Sequence, residues 1–307
     1  MINIVDLKNQ FFYYSYKLFE RGQFYNTKMY HNFLIEKYPG TLVSLYAPKM
    51  LSNLYFSYQS GFIVDDGGRH KRRQKILSSY KENRYADLVG KYGKASFPTS
   101  FEYLKYNENM MLKKSQILKE SDVKYLIAIC IRDNLSILRD FLVRYEFYIR
   151  SKNEADDLIG YIALKKASEG FKVNIVSTDK DFYQLWDFEN VKQNILINNL
   201  SIDDVKIPRH GFLLTKALLG DRSDSIPKAL FKGKGEIFLE SASIEEVNKY
   251  VDKKMLENNI KLITIGEEYL SKEEIELVDK INFETTWNFY DKSGEDELST
   301  IFQSFIS

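Results

Sequence analysis

One cysteine and three histidines are all that 307 residues offer of the thiol and imidazole side chains that structural zinc prefers. Cys130 has no partner for an internal disulfide and cannot build a zinc site, so it is expected to be a small buried apolar residue. His31, His70 and His210 fall in no ligand spacing and read as surface or packing residues. No apolar run reaches the ~20 residues of a membrane span, because charges interrupt each one. The opening Met-Ile-Asn-Ile-Val-Asp lacks the basic flank and long apolar stretch of a signal peptide. The expectation is a soluble cytoplasmic protein with no membrane partner. An excess of one charge is missing too, with 44 Lys and Arg against 43 Asp and Glu.

What is present is a sizeable core, a basic stretch and a dispersed set of acids. With 44% hydrophobic residues, 15% of the chain being aromatic, it can bury one large domain or two smaller ones. Between Gly67 and Lys119 thirteen Lys or Arg stand against four acids, a net of +9. That segment is suited to a polyanion, although a solvated charge-rich helical surface reads the same on charge alone. The acids are Asp6 and Asp65 singly, then Glu154-Ala155-Asp156-Asp157, Asp179-Lys180-Asp181 and Asp221-Arg222-Ser223-Asp224. Most follow apolar runs. Carboxylates converging at the exits of buried strands require cations between them, and two hard divalent ions are the economical choice.

Strands are expected at Ile2–Val5, Phe62–Val64, Tyr145–Ile149 and Val173–Ser177, with helices over 124–142, 154–168 and 212–219. The helix from Glu154 carries acids in its first turn, where the macrodipole favours them, and Gly170 lies just past its end. Such alternation argues an α/β fold with a mainly parallel central sheet flanked by helices, whose ligands gather at the carboxyl ends of strands. Residues 85–119 differ: lysines alternate with Tyr85, Tyr92, Phe97, Phe101, Tyr103 and Tyr106, broken at Phe97-Pro98, which reads as a protruding, partly helical excursion. Asp66, Asp203 and Asp204 read as surface charge.

Three blocks in order, Glu154-Ala-Asp-Asp157, Ser177-Thr-Asp-Lys-Asp-Phe182 and Gly220-Asp-Arg-Ser-Asp-Ser-Ile-Pro227, resemble the 5′-to-3′ exonuclease and flap endonuclease family, in particular its free-standing bacteriophage members of the ribonuclease H and 5′-exonuclease type. Tyr80-Lys-Glu-Asn-Arg84 is close to the family's Tyr-Lys-x-Asn-Arg, and Arg73 stands upstream where the family places an arginine. The resemblance covers about residues 1–240. It implies a PIN-like nuclease core in a catalytic domain over 1–200, with a helical arch at about 85–120. A helical C-terminal domain over 201–307 follows, with a helix–two-turn–helix motif at about 212–245.

Carried over residue by residue, the resemblance implies a metal set of Asp6, Asp65, Glu154, Asp156, Asp157, Asp179, Asp181, Asp221 and Asp224. The first four are assigned to one ion and the last five to the other. Asp179 and Asp181 are also assigned to catalysis. The implied cofactor is a pair of Mg²⁺ ions about 4 Å apart, with Mn²⁺ able to substitute. Lys81 and Arg84, expected on one face of a helix beginning near Ile76, are assigned to the scissile phosphate. Arg73 is assigned to DNA and Tyr80 to stacking on a nucleobase. Lys232, Gly233, Lys234 and Gly235 are assigned to a duplex phosphate, at a turn that often holds K⁺ in the family. In this chain Gly-Lys-Gly stands where the family has Gly-Ile-Gly, and Ser225 where it has Asn.

The function implied is metal-dependent hydrolysis near 5′ ends, nicks, flaps or junctions of DNA, including removal of RNA primers in replication and repair. The chain is expected to be a monomer, in the host cytoplasm if it is viral. Residues 301–306 suggest docking on a sliding clamp or single-strand-binding protein, or packing against the core. Three other readings stay open: a related nuclease of structured RNA, a non-catalytic DNA-junction binder, and a structural protein.

Overall fold

The structure, a computed structural model, describes residues 1–20, 61–67, 71–81, 135, 139, 142–143 and 147–281. The expected arch, Arg84, Cys130, His31, His70 and the segment 301–306 lie outside these residues, as does most of the helix expected over 124–142. The chain forms two compact units, one of Met1–Asp6, Val64–Lys94 and Arg150–Phe283, the other of Leu7–Ile63, Ala95–Ile149 and Glu284–Ser307. In the second, helix α1 (Leu7–Glu20) has Leu7 and Phe11 fully buried.

Strands β1 (Ile2–Asp6), β2 (Gly61–Asp65), β3 (Tyr148–Arg150), β4 (Val173–Val176) and β5 (Ile195–Ile197) form one parallel sheet in the order β3-β2-β1-β4-β5. Strands covered on both faces read as continuous apolar runs rather than alternating ones. Accordingly β1, β2 and β4 are buried at every position. Ile2 pairs with Val173 and Val5 with Val176, so Asp6 and Ser177 leave the sheet at the same level. Asn3 and Asn174 are opposite each other in that register. Asn174 Nδ2 donates to Asn3 Oδ1 at 3.1 Å, and Asn174 Oδ1 accepts from the Asn199 N–H at 3.0 Å.

Helix α2 (Lys71–Ile76) corrects one expectation: the helix ends at Ile76 instead of beginning there. Ser78-Ser79 compete for backbone bonds and favour turns, and residues 78–81 form one, closed by Tyr80 N–H on Leu77 O at 3.0 Å. Helix α3 (Ala155–Ser168) begins with extended Glu154 at its N-cap and buries Leu158, Ile159, Ile162 and Ala163. Gly170, at φ +90, reverses the chain past its end, the left-handed stop that the sequence predicts.

Later helices are α4 (Phe212–Leu219), α5 (Glu236–Ser241), α6 (Lys253–Ile263) and α7 (Lys272–Lys280). Leu218, Ala229, Leu230, Leu239, Ala242, Val247 and Val251 form one core cluster. Tyr80, Ala217, Ile226, Leu262 and Ile263 form another. Gly220 joins α4 to a tight turn in which Asp221 and Ile226 exchange backbone bonds at 3.0 and 2.7 Å. Its φ is +72, and a Cβ there would lie 2.7 Å from the Ile226 and Pro227 carbonyl oxygens. Gly220→Ala combines left-handed strain with a backbone clash, so a loss of about 2 kcal/mol or more is expected. The denaturant midpoint measures it.

Candidate active site

The described acids gather where the chain leaves β1 and β4 and enters α3. Asp6, 5% exposed, ends β1, and its Oδ2 accepts from Ser177 Oγ at 3.0 Å. Asp179 N–H donates to the same hydroxyl at 3.2 Å. The Asp179 carboxylate caps the 3₁₀ helix Lys180–Asp187, taking the Asp181 N–H at 2.9 Å. Asp156 points into this group from the first turn of α3. Burial, then the charges of Asp6 and Asp179, push its carboxyl well above the usual range, with Lys81 opposing. Like charges this near one another create a demand for a cation. Asp65, fully buried at the end of β2, takes the Asp66 N–H at 2.8 Å and lies 3.9 Å from Arg150 Nε.

A second group surrounds Glu154, which is 3% exposed. It is ion-paired to both Arg73 and Lys81, and Tyr80 Oη lies 3.3 Å from its Oε2. Asp224 adds its Oδ2 at 3.8 Å from Lys81 Nζ and 3.5 Å from Tyr80 Oη. Lys81 is held by its backbone as well: its φ is 58, and its N–H donates to Asp224 O at 2.9 Å. Burial and the Glu154 charge raise the Tyr80 phenol well above its ordinary value, so it remains a hydrogen-bond donor.

Three assignments change. Every N–H of Arg73 is engaged: Nε on Leu262 O at 2.9 Å, Nη1 on Glu154 and on Asp157 Oδ2 at 2.7 Å, Nη2 on Asp157 Oδ1 at 2.7 Å and Thr264 O at 2.8 Å. The guanidinium also lies 4.0 Å over the Tyr269 ring. Burial works against its charge, but Asp157 and Glu154 outweigh that and raise its pKa. Arg73 therefore has no donor left for a DNA phosphate, and Asp157, fully buried, has both oxygens taken by Arg73. The Tyr80 ring, 4% exposed in an apolar cluster, has no free face for a base.

The third group was not foreseen. Lys216, on α4, bridges Asp181 and Asp221, with its Nζ 2.9 Å from Asp221 Oδ2. Burial, then Asp179, raises Asp181, with Lys216 opposing. Burial works against Asp221 also, but Ser223 and Lys216 hold it down at about 2. A lone lysine in the apolar run Phe-Leu-Leu-Thr-Lys-Ala-Leu-Leu, five residues before Asp221, was the signal available. The acids group differently from the two sets expected: Asp156 lies near both Asp6 and Asp179, and Asp224 joins Glu154 around Lys81 and Tyr80. Among the described residues no three acids stand as a ready cage for one ion, and Arg73, Lys81 and Lys216 are ion-paired to acids of these groups.

Gly233, at φ +87, and Gly235 frame the turn into α5, with Lys232 exposed between the helices. Lys234 is folded back, its Nζ 4.4 Å over Phe238 and 4.2 Å over Tyr250. Lys228 Nζ donates to the Lys234 carbonyl.

A family model described as 5′-3′ exonuclease, N-terminal resolvase-like domain, matches residues 22–207. The 5′-3′ exonuclease of Buchnera aphidicola subsp. Schizaphis graminum is 31% identical over 208 residues, 64% of this chain and 63% of that protein. DNA polymerase I of Streptococcus pneumoniae is 31% identical over 147 residues, 42% of this chain and 17% of that polymerase. Among solved structures, bacteriophage T5 5′-exonuclease with bound zinc aligns over 99% of this chain and 97% of that one, at 16% identity and a TM-score of 0.41. The chain thus spans about a sixth of the polymerase and under two thirds of the Buchnera exonuclease.

Proposed function

The chain belongs to the 5′-3′ exonuclease family, and from that premise we propose that it is a divalent-metal-dependent nuclease cutting DNA near 5′ ends, flaps, nicks and junctions, RNA primers included. The observation that carries the reading is the convergence of Asp6, Asp156 and Asp179, where burial and then the charges of Asp6 and Asp179 raise the Asp156 carboxyl. Hard oxygen donors of that kind fit Mg²⁺, with Mn²⁺ as a substitute. Asp6, Asp65, Asp156, Asp179 and Asp181 are the residues proposed to hold such ions, with Glu154, Asp221 and Asp224 around them. Divalent ions bound there supply Lewis-acid polarisation of the phosphodiester and of its attacking water.

The remaining work falls to the chain. Lys81, fixed by Glu154 and by its own strained backbone, offsets charge developing on a phosphate brought among the carboxylates. The Tyr80 hydroxyl orients Glu154 and Asp224. The turn at Lys232–Gly235 grips duplex phosphate, where Lys228 already supplies a cation to the Lys234 carbonyl, so K⁺ is optional. The 5′ strand is proposed to meet the basic stretch 85–119, and any clamp or single-strand-binding partner the segment 301–306.

End-labelled flap, nicked and blunt duplexes digested with Mg²⁺ test this, the first product being sized on a gel. Cleavage confined to structured RNA would replace DNA as the substrate. In the same assay Lys81→Ala is expected to lower single-turnover cleavage far more than it weakens flap binding. Lys81→Gly should lose the same activity while gaining stability over Lys81→Ala, because glycine accepts φ 58 without strain. Loss of affinity with an unchanged rate for bound substrate would make Lys81 only a phosphate contact.

A further inference from the structure

The Lys216 bridge joins carboxylates from two different elements. Asp181 lies on the 3₁₀ helix after β4, and Asp221 in the turn after α4. Asp221 has one oxygen committed elsewhere: Oδ1 accepts the Ser223 N–H at 2.8 Å and the Ser223 hydroxyl at 2.6 Å. Oδ2, the oxygen left to face the site, is the one on Lys216 at 2.9 Å. Asp181 presents Oδ1 to the same ammonium. The Lys216 side chain is a quarter exposed, so it can swing toward solvent without unfolding α4.

An ammonium between two carboxylate oxygens occupies the position from which a divalent ion would bind them, because a hard cation needs those oxygens at ~2.0–2.6 Å. Both cannot hold the pair at once. We propose that Lys216 is an internal counter-ion that holds the Asp181–Asp221 pair in the metal-free protein and competes with a divalent cation for it. The inference rests on the reading that these carboxylates bind divalent ions, and adds that occupancy at this pair requires displacement of a lysine. The apparent affinity is then the intrinsic one multiplied by the fraction of protein in which the ammonium has let go. If Lys216 is engaged roughly nine-tenths of the time, the pair binds metal about tenfold more weakly than it would alone.

The test is Mn²⁺ titration of the full chain without DNA, with free Mn²⁺ read by electron paramagnetic resonance. Lys216→Gln keeps a polar side chain and removes the charge; it is expected to tighten the weakest Mn²⁺ class about tenfold. It should also melt lower than wild type in EDTA and regain the difference with Mn²⁺. A second measurement needs no variant. Acylation of Lys216 by an amine-reactive reagent, read by mass spectrometry, should speed up when Mg²⁺ is added at constant ionic strength, because the displaced ammonium becomes accessible. Binding by wild type and Lys216→Gln with equal affinity, or a Lys216 reactivity indifferent to saturating Mg²⁺, overturns the competition while leaving the metal reading intact. If neither form binds Mn²⁺, the metal reading falls and the inference falls with it.

Discussion

Asp156→Ala and Asp179→Ala are each expected to cut single-turnover cleavage of a flap by at least ~10²-fold, about 2.7 kcal/mol of transition-state stabilisation. Flap affinity measured in Ca²⁺ should hold, because the duplex grip proposed at Lys232–Gly235 lies on other residues. Stability separates this from simple damage. The folded-state pKa of Asp156 is raised above its unfolded value, through burial and then Asp6 and Asp179. The folded protein therefore binds that proton more tightly than the unfolded chain does. Stability is lost as pH rises from the unfolded carboxyl range through the folded pKa, and stays lost above it. Deleting Asp156 removes that penalty, so the metal-free variant should melt at or above wild type at pH 7.5 while Mg²⁺ should help it less. Full-rate cleavage by either variant would take its aspartate out of the catalytic set.

Arg73→Met is expected to be the most destabilising of the changes considered, by about 3–5 kcal/mol, because it leaves Glu154 and Asp157 buried without their cation. Arg73→Lys should recover only part of this, since one ammonium cannot replace five donors aimed at Glu154, Asp157, Leu262 and Thr264. The sign with pH is again determined. Without the guanidinium the Asp157 carboxyl, already pushed up to about 6 by burial, rises further above its unfolded value, so the variant should gain on wild type as pH falls from 7.5 to 5.5. Denaturant midpoints at the two pH values measure that difference. An identical loss at both would point to lost packing on Tyr269 instead of lost charge. If the folded variant also lowers the salt slope of duplex binding by about 0.9, Arg73 is a phosphate contact after all.

The sequence announced what depends on local pattern. Ile2-Asn-Ile-Val and Val173-Asn-Ile-Val are apolar runs that only a doubly covered strand needs, and α3 carries its own start and stop in Asp156, Asp157 and Gly170. Strand β5 went unread because three residues carry no period; it exists through its pairing with β4. The roles of Arg73, Tyr80 and Lys216 were hidden for a different reason. Each is decided by partners far along the chain: Arg73 by Asp157 and Leu262, Tyr80 by Glu154 and Asp224, Lys216 by Asp181. A basic residue reads the same in sequence whether its charge is spent on a neighbouring acid or held for a substrate.

The asparagine pair inside the sheet bears on how the rim is aligned. Strands apolar on both faces have little in their side-chain pattern to forbid slipping, since a one-residue shift exchanges Ile and Val between two layers that both accept them. Such a shift would move β4 along β1 by ~3.3 Å. It would also separate Asn3 from Asn174 and leave amides in an apolar layer, at about 1–3 kcal/mol for each polar group without a partner. The two amides act as a key in a slot: they set the strands to one notch, and at that notch the Ser177 hydroxyl reaches Asp6 at 3.0 Å. The spacing of the acids at the sheet's edge is thereby decided in its interior, by two buried amides.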